Sequence, residues 1–183
     1  MTNKLEIATL ANGCFWCTEA IFQRLNGVEK VTSGYSGGTI KNPAYREVTT
    51  GRTGHAEAIQ IHFNPSIITF QEILDVFFST HNPTTLNRQG YDKGTQYRSA
   101  IFYHSESQKN TAVNFIKALS EAIIYENPII TEITKFNAFY KAEEYHQNYY
   151  NNNKTQGYCI AVINPKLDKF IEKYKKKLKS NNK

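Results

Sequence analysis

The sequence predicts an α+β fold: a two-layer split βαβ core of the ferredoxin-like kind, with a mixed, mainly antiparallel sheet, extra helices and a coiled C-terminal segment. Three observations lead there. Stretches of strand and helix periodicity follow in the order βαββαβ between Leu5 and Tyr103, which lays two helices on one face of a sheet. Two helix starts are written in capping residues, at Thr69 to Glu72 and at Ser105 to Gln108. A chain of 183 residues with 40% hydrophobic content fills one core, and two domains would leave each short of buried surface.

Taken in order, Leu5 to Leu10 alternates weakly as a strand, Asn12-Gly13 turns the chain, and Cys14 to Leu25 reads as a helix closed by Asn26-Gly27. Val28 to Tyr35 is the second strand. The loop after it, SGGTIKNPAYREVTTGRTG, is long for a connection and rich in turn formers, which marks it as functional. Ala56 to Phe63 is the third strand, and the helix opened at Thr69 sets Phe70, Ile73, Leu74, Phe77 and Phe78 on one face before Pro83. A second glycine-bearing loop, NPTTLNRQGYDKGTQ, leads to a strand over Tyr97 to Tyr103. The helix capped at Ser105 carries Ala112, Ile116, Leu119 and Ile123 in register. A strand over Ile129 to Phe136, a tyrosine-rich helix over Lys141 to Tyr150, a coil through Asn151 to Gly157 and a basic helix complete the chain. There are no internal repeats.

The formal charge of +6 is local. Positions 166–183 hold eight lysines against Asp168 and Glu172, which leaves 14 basic and 14 acidic residues in positions 1–165. A neutral body argues against a nucleic-acid partner, and the tail reads as a solvated helix face with a frayed end rather than a docking site for an acidic surface. Apolar runs such as Ala161-Val162-Ile163 fall far short of the roughly 20 residues of a membrane span, so no membrane association is expected. The stretch MTNKLEIATLANG has neither the apolar core nor the cleavage pattern of an export signal, which makes a reducing cytoplasm the expected compartment. Three cysteines are no secreted disulfide framework, and a CxxC in that setting points to redox chemistry or metal binding.

The CxxC lies in GCFWCTE, where a strand turns into a helix. Cys14 at the helix start faces free N–H groups and the positive end of the helix dipole, which would lower its thiol pKa and make it a nucleophile. Cys17, one turn on, is close enough for a disulfide or shared metal ligation. Zinc needs two further ligands, and only Cys159 and scattered histidines are on offer, so thiol redox chemistry is the better reading and no metal or other cofactor is expected. Phe15 and Trp16 are either core residues or, beside a reactive thiol, the wall of a pocket for a small apolar group. In AEAIQIHF, Glu57 falls on the apolar face with Ile59, Ile61 and Phe63. There it is either a desolvated carboxyl that keeps its proton and works as a general acid, or a group at the open end of the strand in water.

Six stretches then stand in a fixed order: GCFWC, GYSGG (34–38), NPAYREV (43–49), TGHAEA (53–58), GYDKGTQYRSAIF (90–102) and YHQNYY (145–150). With them the chain resembles the A-type peptide methionine sulfoxide reductases, from about residue 6 to about residue 172. The resemblance implies a single catalytic domain over 1–183, with 173–183 as a basic helical or frayed tail. It implies that Cys14 attacks the sulfoxide sulfur and becomes a sulfenic acid, and that Glu57 protonates the oxygen. Tyr45 and Tyr97 would bind that oxygen with Asp92 as a second polar anchor, and Phe15 and Trp16 would receive the S-methyl group. Cys159, in GYC (157–159), matches the family's resolving cysteine. Cys17 competes with it, and Cys159 is expected to take the main part because a coil can deliver its sulfur where a helix cannot. The resemblance further implies the S epimer as substrate, free or in proteins, thioredoxin as reductant, and a monomer. Two rival readings stand beside it. A thiol-disulfide oxidoreductase would explain the CxxC but would give Glu57 and the tyrosine loops no task. A non-catalytic module holding an acidic partner fits poorly with a neutral body.

Overall fold

The structure, a computed structural model, describes residues 4–180; the first three residues and the last three of the basic tail lie outside the described residues. Four strands make the centre of one sheet: β1 (Glu6–Asn12), β2 (Val28–Ser36), β3 (Ala56–Phe63) and, after two short strands described below, β6 (Ser99–Tyr103). They run in the spatial order β6-β1-β3-β2, every pair antiparallel, as the split βαβ plan requires. Two edge strands widen it: β7 (Glu132–Lys135) lies parallel to β6, and β8 (Phe139–Lys141) antiparallel to β2. The sheet is therefore mixed and mainly antiparallel.

Strand alternation decides what each face does. Ala8 opposes Ile61 and Leu10 opposes Ile59, and all four are fully buried on the face that helix α1 (Phe15–Phe22) and helix α3 (Phe70–Ser79) cover. The opposite face is narrower and built of small residues, Ala11, Ala56, Ala58 and Ala100, closed by Phe102, Phe136 and Phe139. Both capped starts hold. The Thr69 hydroxyl accepts the Glu72 N–H at 3.2 Å, and the Glu72 carboxylate accepts the Thr69 N–H at 2.9 Å. The Ser105 hydroxyl accepts the Gln108 N–H at the start of α4 (Glu106–Glu121).

The differences from expectation each have a local cause. Helix α4 stops two residues before Ile123, which adopts φ 50 and is exposed instead of facing the core. The Ile124 N–H reaches the Leu119 carbonyl and the Ile123 N–H that of Ser120, the two bonds of a Schellman end, with isoleucine where glycine is usual. No continuous helix spans 141–150. Its backbone groups go to the sheet instead, with the Ala142 N–H on the Ser33 carbonyl and the Gln147 amide bridging both backbone groups of Ser33. What remains is β8, a 3₁₀ turn (Glu144–His146) and the single turn α5 (Tyr149–Asn152). The coil expected through residue 157 ends earlier: helix begins at Gly157 and passes through a π-helical stretch (Cys159–Ile163) into α6 (Asn164–Tyr174). Cys159 is thus helix-held and fully buried, not carried on a flexible coil. Nor is the tail loose to residue 180. The Asn26 N–H donates to the Lys177 carbonyl at 2.8 Å, Lys177 pairs with Glu72, and Leu178 is buried against Leu25.

Candidate active site

Everything in the site is positioned from the end of β1. Gly13 makes the corner with φ +99, where a Cβ would come within 2.8 Å of Gln89, so the turn tolerates no side chain. Cys14 follows as the N-cap of α1, its carbonyl accepting the N–H groups of Cys17 and Thr18. Phe15 turns inward and is 1% exposed, while Trp16 stays half-buried at the rim, so the two aromatics divide between core and wall. The Phe15 N–H, one of the free donors of the helix start, donates to Glu57 Oε2 at 3.0 Å.

Glu57 is 2% exposed, which removes the reading that puts it in water. Burial pushes its carboxyl up to about 8 against the pull of the Phe15 N–H, with Asp92 and Cys17 adding to the rise. Two phenols stand in the same field. Tyr45, first residue of the short helix α2 (Tyr45–Val48), is pushed up to about 12 by burial and then by Glu57. Tyr97, in the 3₁₀ turn (Thr95–Tyr97) before β6, is also raised, by burial and by Glu57. Asp92 comes in on the hairpin of β4 (Arg88–Gln89) and β5 (Asp92–Lys93) and accepts the Tyr158 hydroxyl at 2.8 Å. That hydroxyl lies 3.9 Å from Cys17 Sγ. Cys14, Cys17, Asp92, Tyr91, Tyr158 and Lys166 line a cavity of about 270 Å³.

The thiols depart from expectation. Cys14 is raised well above an ordinary thiol, first by burial, then by the hydrogen bond and charge of Cys17 and by Glu57. Burial and these neighbours outweigh the helix start, whose first N–H, that of Phe15, goes to Glu57. Cys17 is pulled the other way, chiefly by the hydrogen bond from Cys14, so the buried pair favours a single negative charge on Cys17. Cys159 joins Cys17, Ala20 and Ile163 in one buried cluster with Cys14 at its margin; all three cysteines are free.

Of the residues expected from the sequence, Cys14, Cys17 and Asp92 line this cavity; Phe15, Tyr45 and Tyr97 are grouped around the Glu57 carboxyl, Trp16 and Cys159 pack with the thiols, and five unexpected residues support them. Trp16 stacks on Tyr149, centroids 3.7 Å apart and planes 6° off parallel, and its Nε1–H donates to His146 Nδ1 at 3.0 Å. His146 is 1% exposed, and burial lowers its pKa, which keeps it neutral as that acceptor. Glu143 accepts the Tyr35 hydroxyl and the Tyr45 N–H, fixing the loop that carries Tyr45. Glu19, one turn below Phe15 and 3% exposed, accepts the Asn148 N–H at 2.9 Å and so anchors the turn from which Tyr149 reaches Trp16. Tyr158 is the fifth. Three of the five lie in or beside YHQNYY and one beside Cys159, stretches visible in the sequence, but nothing there says which ring meets which. Among the described residues no three His, Cys, Asp or Glu side chains gather as a metal site.

Oxidisable thiols set against a carboxyl that keeps its proton at neutral pH define a class: a cysteine-based reductase whose substrate gives up an atom that must be protonated to leave. Known proteins narrow this. The sequence profile of peptide methionine sulfoxide reductase matches residues 6–179. The peptide methionine sulfoxide reductase MsrA of Deinococcus radiodurans is 53% identical over 174 residues, covering 95% of this chain and 84% of that one. Among solved structures, Mxr1 from Saccharomyces cerevisiae in reduced form superposes with a TM-score of 0.78 at 36% identity, covering 87% of this chain and 91% of that one. Mxr1 in complex with Trx2 matches with a TM-score of 0.56 at 28% identity, covering 81% and 87%. The chain belongs to the peptide methionine sulfoxide reductase family, A type: it is a thiol-dependent enzyme that reduces methionine sulfoxide. No helix among the described residues is long and apolar enough to cross a membrane.

Proposed function

We propose that the chain reduces the S epimer of methionine sulfoxide, free or in proteins, at Cys14. The observation that carries this reading is the Glu57 carboxyl, protonated at neutral pH and bonded to the N–H next to Cys14. The Cys14 sulfur attacks the sulfoxide sulfur as Glu57 gives its proton to the oxygen; the OH then passes to Cys14 as the transient S–S bond breaks, so methionine leaves with an electron pair on its sulfur and Cys14 is left as a sulfenic acid. Tyr45 and Tyr97 hold the oxygen with Asp92 behind them, and Phe15 and Trp16 wall the methyl group. Cys14 becomes charged by passing its proton to Cys17 across their hydrogen bond.

Resolution follows a relay. The sequence favours Cys159 as first resolver because it expects a coil, and the helix around Cys159 takes that ground away. Cys17 attacks the Cys14 sulfenic acid and water leaves. Cys159 then attacks Cys17, freeing Cys14 and forming a disulfide that a thioredoxin reduces; support for that reductant is the yeast Mxr1 complex with Trx2. A cytoplasmic monomer is the setting we propose, since free thiols require reducing surroundings. Epimer-resolved reduction of a chromophore-tagged methionine sulfoxide with dithiothreitol tests the whole: wild type consumes the S epimer only, and Cys14→Ser consumes neither. Consumption of the R epimer, or activity in Cys14→Ser, defeats it.

A further inference from the structure

Beside the active-site cavity lies a larger groove of about 600 Å³ that the chemistry leaves unused. The two are continuous, because Gln89, Val162 and Lys166 line both. One wall of the groove is α6, whose Lys166, Lys169 and Lys173 fall within one narrow face by the helical period, with Asp168 turned away from it and Glu172 flanking Lys169 outside the groove lining. None of the three lysines forms an ion pair among the described residues, and no carboxylate lines the groove there. The facing wall adds no charge of its own. His81 is held between the Phe77 carbonyl and the Ser99 hydroxyl, and burial pushes it down to about 3, so it stays neutral. Lys166 stands beside Cys17 and Asp92 in the cavity lining, and from it Lys169 and Lys173, which form no ion pair among the described residues, carry a strip of ammonium groups about 10 Å along the helix.

We infer that this groove receives an acidic stretch of an oxidised protein next to its methionine sulfoxide, so that the enzyme favours sulfoxides flanked by Asp or Glu. The inference rests on the proposed use of the cavity at Cys14. An extended peptide whose sulfoxide reaches Cys14 through that cavity continues along the open side, where its acidic side chains meet the lysines, spaced about 4.5 and 6 Å along α6. Exposed Lys169 and Lys173 act as rim charges: they raise capture of the acidic chain, screened by salt, and leave the bond-breaking step alone. Part of the basic tail that reads from sequence as a solvated face is in this way a substrate surface.

The test uses two peptides of one sequence carrying the S-sulfoxide, one flanked by four glutamates and one by four glutamines, with dithiothreitol as reductant. At low ionic strength the wild type shows kcat/KM roughly 3- to 10-fold higher for the acidic peptide, through KM, and the ratio falls toward one as salt is added. The double variant Lys169→Gln, Lys173→Gln loses the ratio, and Lys169→Glu, Lys173→Glu reverses it toward a lysine-flanked peptide. Equal values for both peptides in the wild type overturn the inference, as does a preference that survives in the glutamine variant. A charge effect that emerges only with thioredoxin in place of dithiothreitol also overturns it and gives the groove to the reductant. Failure to reduce either peptide defeats the reading of the cavity itself.

Discussion

The two helical turns that carry Cys17 and Cys159 are built in opposite ways. The first turn of α1 is fixed from the sheet outward: β1 delivers it, Gly13 sets its angle, Glu57 on β3 takes its first N–H, and Tyr149 and His146 clamp Trp16. The turn at 157–163 rests on burial of Cys159 and Ile163, and its backbone runs as a π-helix, a wide geometry that α-helix readily replaces. A thiol that reacts where it stands needs the first kind of support. One that must be brought to a partner has to leave its place, which here means uncovering Cys159 and Ile163.

The largest effect belongs to the rigid side. Glu57→Gln keeps the size and loses the proton, so kcat/KM falls by roughly 10²- to 10⁴-fold. In wild type the rate falls as pH rises through about 8, where Glu57 ionises, and that alkaline limb vanishes in the variant. Stability falls with the same titration. Because its pKa is raised on folding, Glu57 binds more protons folded than unfolded, so it weakens the fold as pH climbs from the ordinary carboxyl range to about 8. Glu57→Gln therefore melts higher than wild type at pH 9, and an unchanged alkaline limb or a lower melting point would place the acid elsewhere.

Next come the two thiols. With thioredoxin as reductant, Cys17→Ser yields a burst of about one methionine per enzyme and then turns over roughly 10²-fold more slowly, because the sulfenic acid has lost its neighbour. Cys159→Ser slows less and accumulates a Cys14 to Cys17 disulfide, identified by peptide mapping of the trapped protein. Rapid formation of a Cys14 to Cys159 bridge in Cys17→Ser breaks the comparison, for it would mean the C-terminal turn opens as fast as the first turn reacts.

What the sequence makes legible follows the same division. The βαββαβ order, both caps, Cys14 at the corner and Glu57 on the apolar strand face are local facts, each set by alternation, capping or turn chemistry within a few residues. The rise of the Cys14 pKa is not local, since it depends on burial and on which acceptor takes the Phe15 N–H. The replacement of a helix by β8 and of a coil by the turn at Cys159 is not local either. Ser33 decides the first from across the chain, and the packing of Cys159 and Ile163 on Cys17 and Ala20 the second.

Glu19 sharpens the picture of the clamped turn at smaller cost. Glu19→Ala takes the acceptor from the Asn148 N–H and destabilises by roughly 0.5–1.5 kcal/mol. Trp16 is the sole tryptophan, so its fluorescence reports directly whether Tyr149 still stacks on it. Glu19→Gln restores the acceptor and leaves the emission near wild type. It also removes a carboxyl that burial raises to about 7, which lifts stability above that pH for the same reason as at Glu57. Unchanged emission in Glu19→Ala would show that Trp16 is held without this anchor.

The smallest expected effect tests the turn that carries Cys159. Gly157 opens the helix that carries Cys159, and a Cβ there meets nothing within 4 Å. Alanine at that position removes backbone freedom from the unfolded chain and favours the helix, a gain of about 0.5–1 kcal/mol in melting experiments. If the turn must open for Cys159 to reach Cys17, the same gain opposes opening. Thioredoxin-supported turnover then falls by roughly 2- to 5-fold, while the first methionine forms at the wild-type rate. A variant that is stabilised yet turns over normally would mean that Cys159 reacts from within its helix, and the two turns would then differ in construction without differing in use.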